Sequence, residues 1–364
     1  MAIFSADNDR PARRRRGRTI GWSLIAVAIV GAIVAALIPS SYVIEEPGPV
    51  YNTLGTTTVN HKVVPVLSIS GEKTYPTSGA LDMLTVNING DPDNRPSWLE
   101  IATAKLDPSK AVTPIAEIYP PQQTLEQSNK ESTAEMVDSQ QQATAAALFE
   151  QHIKFGSVIS VEGTEKGSPA SKALRAGDVL ETFNGKAFVD SDQLHSFIVA
   201  NGAGTPGTVT FTRKGVQHTA QITPESTKTG PFLGVYLTEK YMFPFPVKVQ
   251  LQDVGGPSAG MMFALGIIDK LTPGELNGGA HVAGTGTISA FGVVGAIGGI
   301  QQKMYGARAA GATYFLAPAS NCSDVRGHIP SGLTVYSTST LKQSVADLKA
   351  IASGSGLTKL KTCG

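Results

Sequence analysis

The stretch Gly255-Gly256-Pro257-Ser258-Ala259-Gly260, followed downstream by Gly298-Gly299-Ile300-Gln301-Gln302-Lys303, governs the reading of this chain. A serine hydroxyl is a poor nucleophile at neutral pH and needs a positioned base, and a desolvated lysine can serve without any histidine. Pro257 is a favoured first-turn residue and Ser258 to Leu271 is mostly apolar, so a buried helix is expected there with Ser258 at its N-terminus. The free backbone N–H groups and positive dipole end of a helix suit a developing oxyanion. Ser258 is therefore the candidate nucleophile, Lys303 the candidate base, and Gly256, Pro257 and Ala259 the backbone frame of the oxyanion site. Lys303 must be neutral to accept a proton, which requires burial, and Ile297, Ile300 and Met304 flank it. The chemistry this suggests is acyl transfer, with peptide hydrolysis its leading form.

Val247 to Leu251 alternates as a strand does, and Thr313 to Leu316 reads as another. Between them lie Ala283-Gly284-Thr285-Gly286-Thr287-Ile288 and Val293-Val294-Gly295-Ala296-Ile297-Gly298-Gly299, then Lys303 in a helix that Gly311 ends. In this order the segments resemble the proteolytic domain of Lon proteases, a Ser–Lys peptidase family, over Val247 to Ile351. The resemblance implies Ser258 as nucleophile, Lys303 as base, and Thr285 as the hydroxyl that helps orient the dyad. Two positions depart from ordinary Lon. Gly255 stands where an acidic residue is frequent, and Thr287 where a glutamate commonly follows the Thr-Gly pair.

Upstream, Val158 to Val161 reads as a strand, Ser168-Pro169-Ala170 opens a short helix, and Ala176-Gly177-Asp178-Val179-Leu180 leads into another strand. Asn184-Gly185 favours a tight hairpin turn, Asp190 to Val199 is an amphipathic helix, and Val209 to Arg213 with Gln217 to Ile222 forms a closing hairpin. This succession resembles a PDZ domain, which binds extended peptides by adding a strand to a sheet edge beside a helix. The resemblance places the groove between Val158–Val161 and the helix from Ser191 to Val199, with Phe155, Gly156, Val158 and Ile159 as candidate peptide-binding residues. A carboxylate-binding signature is not evident, which leaves recognition of a free C-terminus open.

At the N-terminus, Arg13, Arg14, Arg15, Arg16 and Arg18 precede an uncharged run from Ile20 to Ile38, long enough to span a hydrocarbon core of about 30 Å. Arginines collect on the cytoplasmic side, so the expectation is a single-pass membrane helix with the tail inside and everything after Pro39 extracytoplasmic. A cleaved signal peptide is the competing reading, weakened by the length of the run and by the lack of a clean small-residue cleavage site. Between Pro39 and Tyr119 short β-type runs, Val63 to Ile69 and Leu84 to Ile88, alternate with glycine and proline, and Asp82, Asp91 and Asp93 read as solvated turn residues. Gln122 to His152, free of glycine and proline, reads as an exposed helix packing at its end, with Thr124 and Gln127 as a capping box.

Net charge is +1, so nothing in the balance favours nucleic acid as a partner. Cys322 and Cys363 sit where export would permit a disulfide, or they remain separate thiols. Six histidines form no metal motif, and no cofactor or metal is expected. Gly71-Glu72-Lys73-Thr74 is the nearest string to a phosphate-binding loop and lacks its spacing.

The fold class expected is α+β multidomain: a basic tail over 1–18, a transmembrane helix over 19–39, a β-rich segment and helix over 40–150, a PDZ domain over 151–226 and a Lon-type α/β domain over 227–364. The arrangement is similar to bacterial membrane-anchored PDZ–Lon proteins, which implies an ATP-independent serine endopeptidase acting on protein or peptide substrates. Because Lon-type domains assemble in rings, a homo-oligomer is a further possibility. Two rivals stand beside this reading. One is a non-cutting PDZ scaffold or adaptor. The other is an α/β-hydrolase esterase using Gly256-Pro257-Ser258-Ala259-Gly260 as its nucleophile elbow, with Asp324 and His328 as partners.

Overall fold

The protein, seen in a computed structural model, is described over residues 12–228, 230–252 and 254–363, with the side chains of 12–20, 32 and 35 also left out. Two compact units share the chain: 1–49 with 85–128, and 50–84 with 129–364.

In the first unit, strand residues Tyr42 to Glu45 pair antiparallel with Pro114 to Ala111, and Ile44, Ile101 and Ala104 form a small core. The helix Trp98–Ala104 starts at a reciprocal capping box between Ser97 and Glu100. A 26-residue helix spans Ala12–Leu37, and its apolar side chains, Trp22, Leu24, Val27 and Val30 among them, are exposed. Among the described residues no helix is long and apolar enough to cross a membrane. The arginine side chains that set the expected orientation lie outside the described residues.

In the second unit, after a short hairpin of Thr56–Val59 with Lys62–Pro65, come strand β1 (Leu67–Ile69) and β2 (Ala80–Asn89), whose residues after Leu84 count with the first unit. Helix α1 (Leu125–Glu150) follows, opened by the expected Thr124–Gln127 capping box. As expected, α1 is largely exposed at its start and packs toward its end: Ala143 to Leu148 are buried, joined by Met136 and Ser139 two turns and one turn earlier, while Val137, Asp138 and Gln141 stay exposed.

The chain then makes an antiparallel sheet from β3 (Gly156–Thr164), β4 (Val179–Phe183), helix α2 (Ser191–Asn201), β5 (Gly207–Arg213), β6 (Val216–Ile222) and β7 (Val235–Met242), in the order β6-β5-β4-β3-β7. Asn184 and Gly185 carry the positive φ values, 50° and 74°, of the predicted hairpin turn. Its own core of Ile159, Val161, Leu180, Phe183, Leu194 and Phe211 closes around α2. Strand β7 lies beyond the expected domain boundary at 226 and completes this sheet along the whole of β3.

After β8 (Val247–Val249), which pairs with β1, the chain enters helix α3 (Gly260–Leu271), β9 (His281–Gly284), the short hairpin strands β10 (Thr287–Ile288) and β11 (Val294–Gly295), helix α4 (Ile300–Ala309), β12 (Tyr314–Pro318), β13 (Thr334–Thr338) and helix α5 (Leu341–Ser353). Strands β13, β12, β9 and β2 are parallel neighbours in that order. Their side chains alternate between two cores. Val282, Leu316 and Tyr336 face α3 and α5, while Ala283, Phe315 and Val335 face α4, the two-sided burial expected of a parallel sheet. Met261, Phe263 and Leu265 on α3 are wholly buried, each worth about 1.5–3 kcal/mol of hydrophobic stabilisation.

This arrangement changes the expected domain plan. Residues 50–84 and 129–150, assigned above to a β-rich segment before the PDZ-like part, belong to the same unit as α3 and α4. The antiparallel sheet is therefore inserted between α1 and β8 of an α/β core rather than placed ahead of it. Asp82 is likewise no turn residue: it is buried on β2 and bonds His281 at 2.5 Å.

Candidate active site

Ser258 lies in the turn that leads into α3, two residues ahead of Gly260. Gly256 holds φ at 79°, a conformation that favours glycine, and its N–H donates to the Ser132 carbonyl at 2.9 Å. A Cβ on Gly255 would collide with the Ser132 hydroxyl, so close approach of α1 accounts for glycine at a position where an acidic side chain is frequent. The Ser139 hydroxyl donates to the Pro257 carbonyl at 2.9 Å, and helix α1 thus grips the turn at two points. From the other side, the Gly286 N–H and the Thr285 hydroxyl both donate to the Ser258 carbonyl at 2.9 Å.

Lys303 enters from the first turns of α4, which Gly299 opens in the left-handed region. Its Nζ is 2.7 Å from Ser258 Oγ and 3.1 Å from Thr285 Oγ1. Because the Thr285 hydrogen is committed to the Ser258 carbonyl, its lone pairs face Nζ and fix the lysine's direction. Lys303 is 3 % exposed, whereas Ser258 is half-buried. Burial among groups including Ile300 and Met304 pulls the lysine down to about 8. Buried Asn321 accepts from the Ile297 N–H and donates to the Ile297 carbonyl, each at 2.9 Å, which pins the loop ahead of α4.

The hydrolase alternative finds no such geometry. His328 is exposed and its Nδ1 faces the Arg326 carbonyl of its own loop at 3.1 Å, while Asp324 accepts from Asn321 and Ser323. Cys322 and Cys363 are joined by a disulfide that ties the C-terminal segment beside β12.

The proposed peptide groove requires correction. Strand β3 is an interior strand, bonded to β4 through Ile159 and Ser160 and to β7 from Gly156 to Thr164, so β7 rather than β3 lies at the edge of the sheet beside α2. Ile159 is a core residue and Phe155 packs against Tyr241 and Phe243. Gly156 and Val158 are ladder positions opposite Met242 and Lys240. A cleft of about 380 Å³ lies instead between α2 and the start of β7, lined by Leu194, His195 and Ile198 facing Leu233, Val235 and Leu237. Strand β7 is the terminal strand of its sheet among the described residues. The sequence signal that could have found it is Phe232-Leu233-Gly234-Val235, an apolar loop with Gly234 at φ 71° leading into an alternating strand.

A second cleft, about 640 Å³, borders the Ser258 turn at Pro257 and the β10 hairpin at Thr287 and Ile288. Its opposite wall is Asp192, Gln193 and Ser196 of α2, with Asp138 of α1 between, and Ser191 lines both clefts.

Residues 252–350 match the Lon protease (S16) C-terminal proteolytic domain family, and residues 135–223 match the PDZ domain family. Lon protease 1 of Sorangium cellulosum is 35 % identical over 94 residues, 25 % of this chain and 11 % of that protein. A Lon protease of Roseiflexus castenholzii is 41 % identical over 71 residues, 20 % of this chain and 9 % of that protein. The chain thus spans about a tenth of the length of these relatives. A crystal structure of the PDZ domain of an SdrC-like protein from Listeria monocytogenes aligns with 22 % of this chain and 85 % of its own at 25 % identity, with a TM-score of 0.21.

Proposed function

We propose that this chain, which carries a PDZ domain and a Lon-type proteolytic domain, is an ATP-independent serine endopeptidase with a Ser258–Lys303 dyad. The observation that carries the proposal is the 2.7 Å approach of Lys303 Nζ to Ser258 Oγ in a site where burial lowers the lysine to about 8. With that value about one molecule in ten holds a neutral lysine at pH 7. The neutral amine takes the serine proton as Oγ bonds to the scissile carbonyl carbon. The resulting oxyanion is held at the N-terminal end of α3 by backbone N–H groups around Ser258 and Ala259, the frame completed by Gly256 and Pro257. The ammonium then protonates the leaving nitrogen as the C–N bond breaks, leaving an acyl-serine. Water, losing its proton to Lys303, releases the acyl group and the proton returns to Ser258. Thr285 keeps the lysine aimed throughout.

The substrates proposed are extended or unfolded protein segments, since the chain offers Ser258 on a half-buried turn and the α2–β7 cleft beside an edge strand suits an added peptide strand. Membrane anchoring, with the PDZ and protease parts extracytoplasmic, is supported by the arginine cluster before the apolar run and by the exposed apolar side chains of Ala12–Leu37. The test is cleavage of an unfolded protein by the full chain and by its Ser258→Ala and Lys303→Ala variants. Loss in both supports the dyad, whereas equal activity in all three proteins overturns it. Protease protection of the full chain in sealed vesicles tests the orientation.

A further inference from the structure

Helix α1 touches the nucleophile turn and the peptide-cleft walls with one face. Near its middle the Ser139 hydroxyl, on a residue 3 % exposed, donates to the Pro257 carbonyl, the peptide group directly before Ser258. One turn further on, Gln142 donates to Glu239 Oε2 at 3.3 Å. Glu239 belongs to β7, and it also accepts the Tyr241 hydroxyl at 2.7 Å and the Ser191 backbone N–H at 2.5 Å. Ser191 opens α2. A single carboxylate therefore joins the strand and the helix that wall the α2–β7 cleft to the helix that holds the nucleophile turn.

The construction is also rigid where it needs to be. Gly260 leaves room for the Ser139 hydroxyl, which a Cβ there would meet at 2.9 Å, and Met136, Ala143, Ala146 and Ala147, on the same face of α1 as Ser139, fix the helix in the core. Tyr241 adds a second strut: with Ala145 of α1 and Ala290 of the β10–β11 turn it forms a small buried cluster next to the active-site hairpin. A displacement of β7 or of the start of α2 has two packed routes to the Pro257–Ser258 peptide. Both run through α1 or its neighbours. A side chain held in this way is expected to matter for catalysis even though it touches no reacting atom, because placement errors of about 1 Å at a nucleophile can cost up to about a hundredfold in rate.

We infer that Glu239 and Ser139 are positioning residues acting in series, through which the walls of the α2–β7 cleft set the placement of Ser258. The inference rests on the Ser–Lys reading above. It implies that a peptide seated in the cleft alters turnover at Ser258 as well as substrate capture, because its backbone would pair with the very strand that carries Glu239.

The test uses the full chain and a short peptide p-nitrophenyl ester too small to occupy both clefts, so that the nitrophenol burst reports acylation of Ser258. Glu239→Ala and Ser139→Ala are each expected to slow the burst and kcat about tenfold, with KM within about twofold, and the double variant is expected to be no slower than the worse single one. Multiplying losses, an effect confined to KM, or unchanged bursts would overturn the inference while leaving the dyad standing. Should Glu239→Ala fail to fold, Ser139→Ala alone decides, since it removes one hydroxyl: an unchanged burst overturns the inference. A burst that survives Ser258→Ala undiminished overturns the dyad, and this inference with it.

Discussion

The inserted PDZ sheet and the α/β core that surrounds it are built in opposite ways. Strands β3 to β7 all come from one continuous stretch, 156–242, and their hydrophobic residues close on one another. The α/β core gathers Leu67, Leu81 and Met83, then Met136, Ala143, Ala146 and Ala147, then α3 with one face of β9, β12 and β13 and α5 as far as Ile351, with the PDZ-like sheet spliced between the second and third groups. The first kind of domain can be read as a run of local signals. The second cannot, because part of its core, Leu67, Leu81, Met83 and the buried face of α1, lies before the insertion and looks, in isolation, like a separate segment. On the proposed function the difference would also separate the roles: the α2–β7 cleft is local to the insertion, while the Ser258 turn is held by residues from both sides of it.

The largest expected effect falls on the chemistry alone. Ser258→Ala and Lys303→Ala should each lower kcat by about a thousandfold or more while leaving peptide capture by the α2–β7 cleft unchanged, measured by turnover and by binding in parallel. Loss of capture in either variant would erase the proposed division.

Removing the Cys322–Cys363 bridge by a double serine substitution should destabilise the α/β core by about 3–4 kcal/mol, read from denaturant titration. The PDZ sheet, which contains neither cysteine, should keep its own transition. Ala146→Leu comes next. It should overpack the core and cost about 1–3 kcal/mol in the protease transition, although Ala146 precedes the PDZ sheet in the chain. A cost appearing only in the PDZ transition would return α1 to the inserted domain.

The pH profile should follow Lys303. Burial lowers its pKa to about 8, so the competent neutral form is lost as pH falls, and kcat/KM should rise about tenfold per pH unit below that value and level off above it. A plateau reached near pH 6 would point to a histidine instead. The smallest effect tests the corrected groove: His195→Ala should weaken peptide capture several-fold, by about 1 kcal/mol, while Val158→Ser on β3 should leave it unchanged.

Much of the site was legible before any fold was known. Gly256, Ser258, Thr285 and Lys303 sit in short motifs whose residue types answer to the chemistry, and the hairpin at Asn184-Gly185 and the cap at Thr124 answer to backbone geometry. The peptide groove was misplaced because β7 lies beyond the expected boundary at 226 and carries no strand reading in the sequence analysis, and local periodicity does not say which strand ends the sheet. Ser132 and Ser139 were invisible for another reason. On a glutamine- and alanine-rich helix a serine carries no signature, and it acquires a role only when a glycine turn more than a hundred residues later in the sequence lies against it.

The types of the reacting groups, the glycines that shape their turns, the caps and the alternation of the PDZ strands are encoded within a few residues of chain, where propensity and backbone conformation act directly. The pairing of Lys303 with Ser258 across 45 residues, the lowering of that lysine by burial, the sharing of β2, α1 and α3 in one core around an insertion, and the completion of the PDZ sheet by β7 arise only on folding. They depend on desolvation and on which surfaces finally exclude water from one another, quantities that no local window of sequence contains.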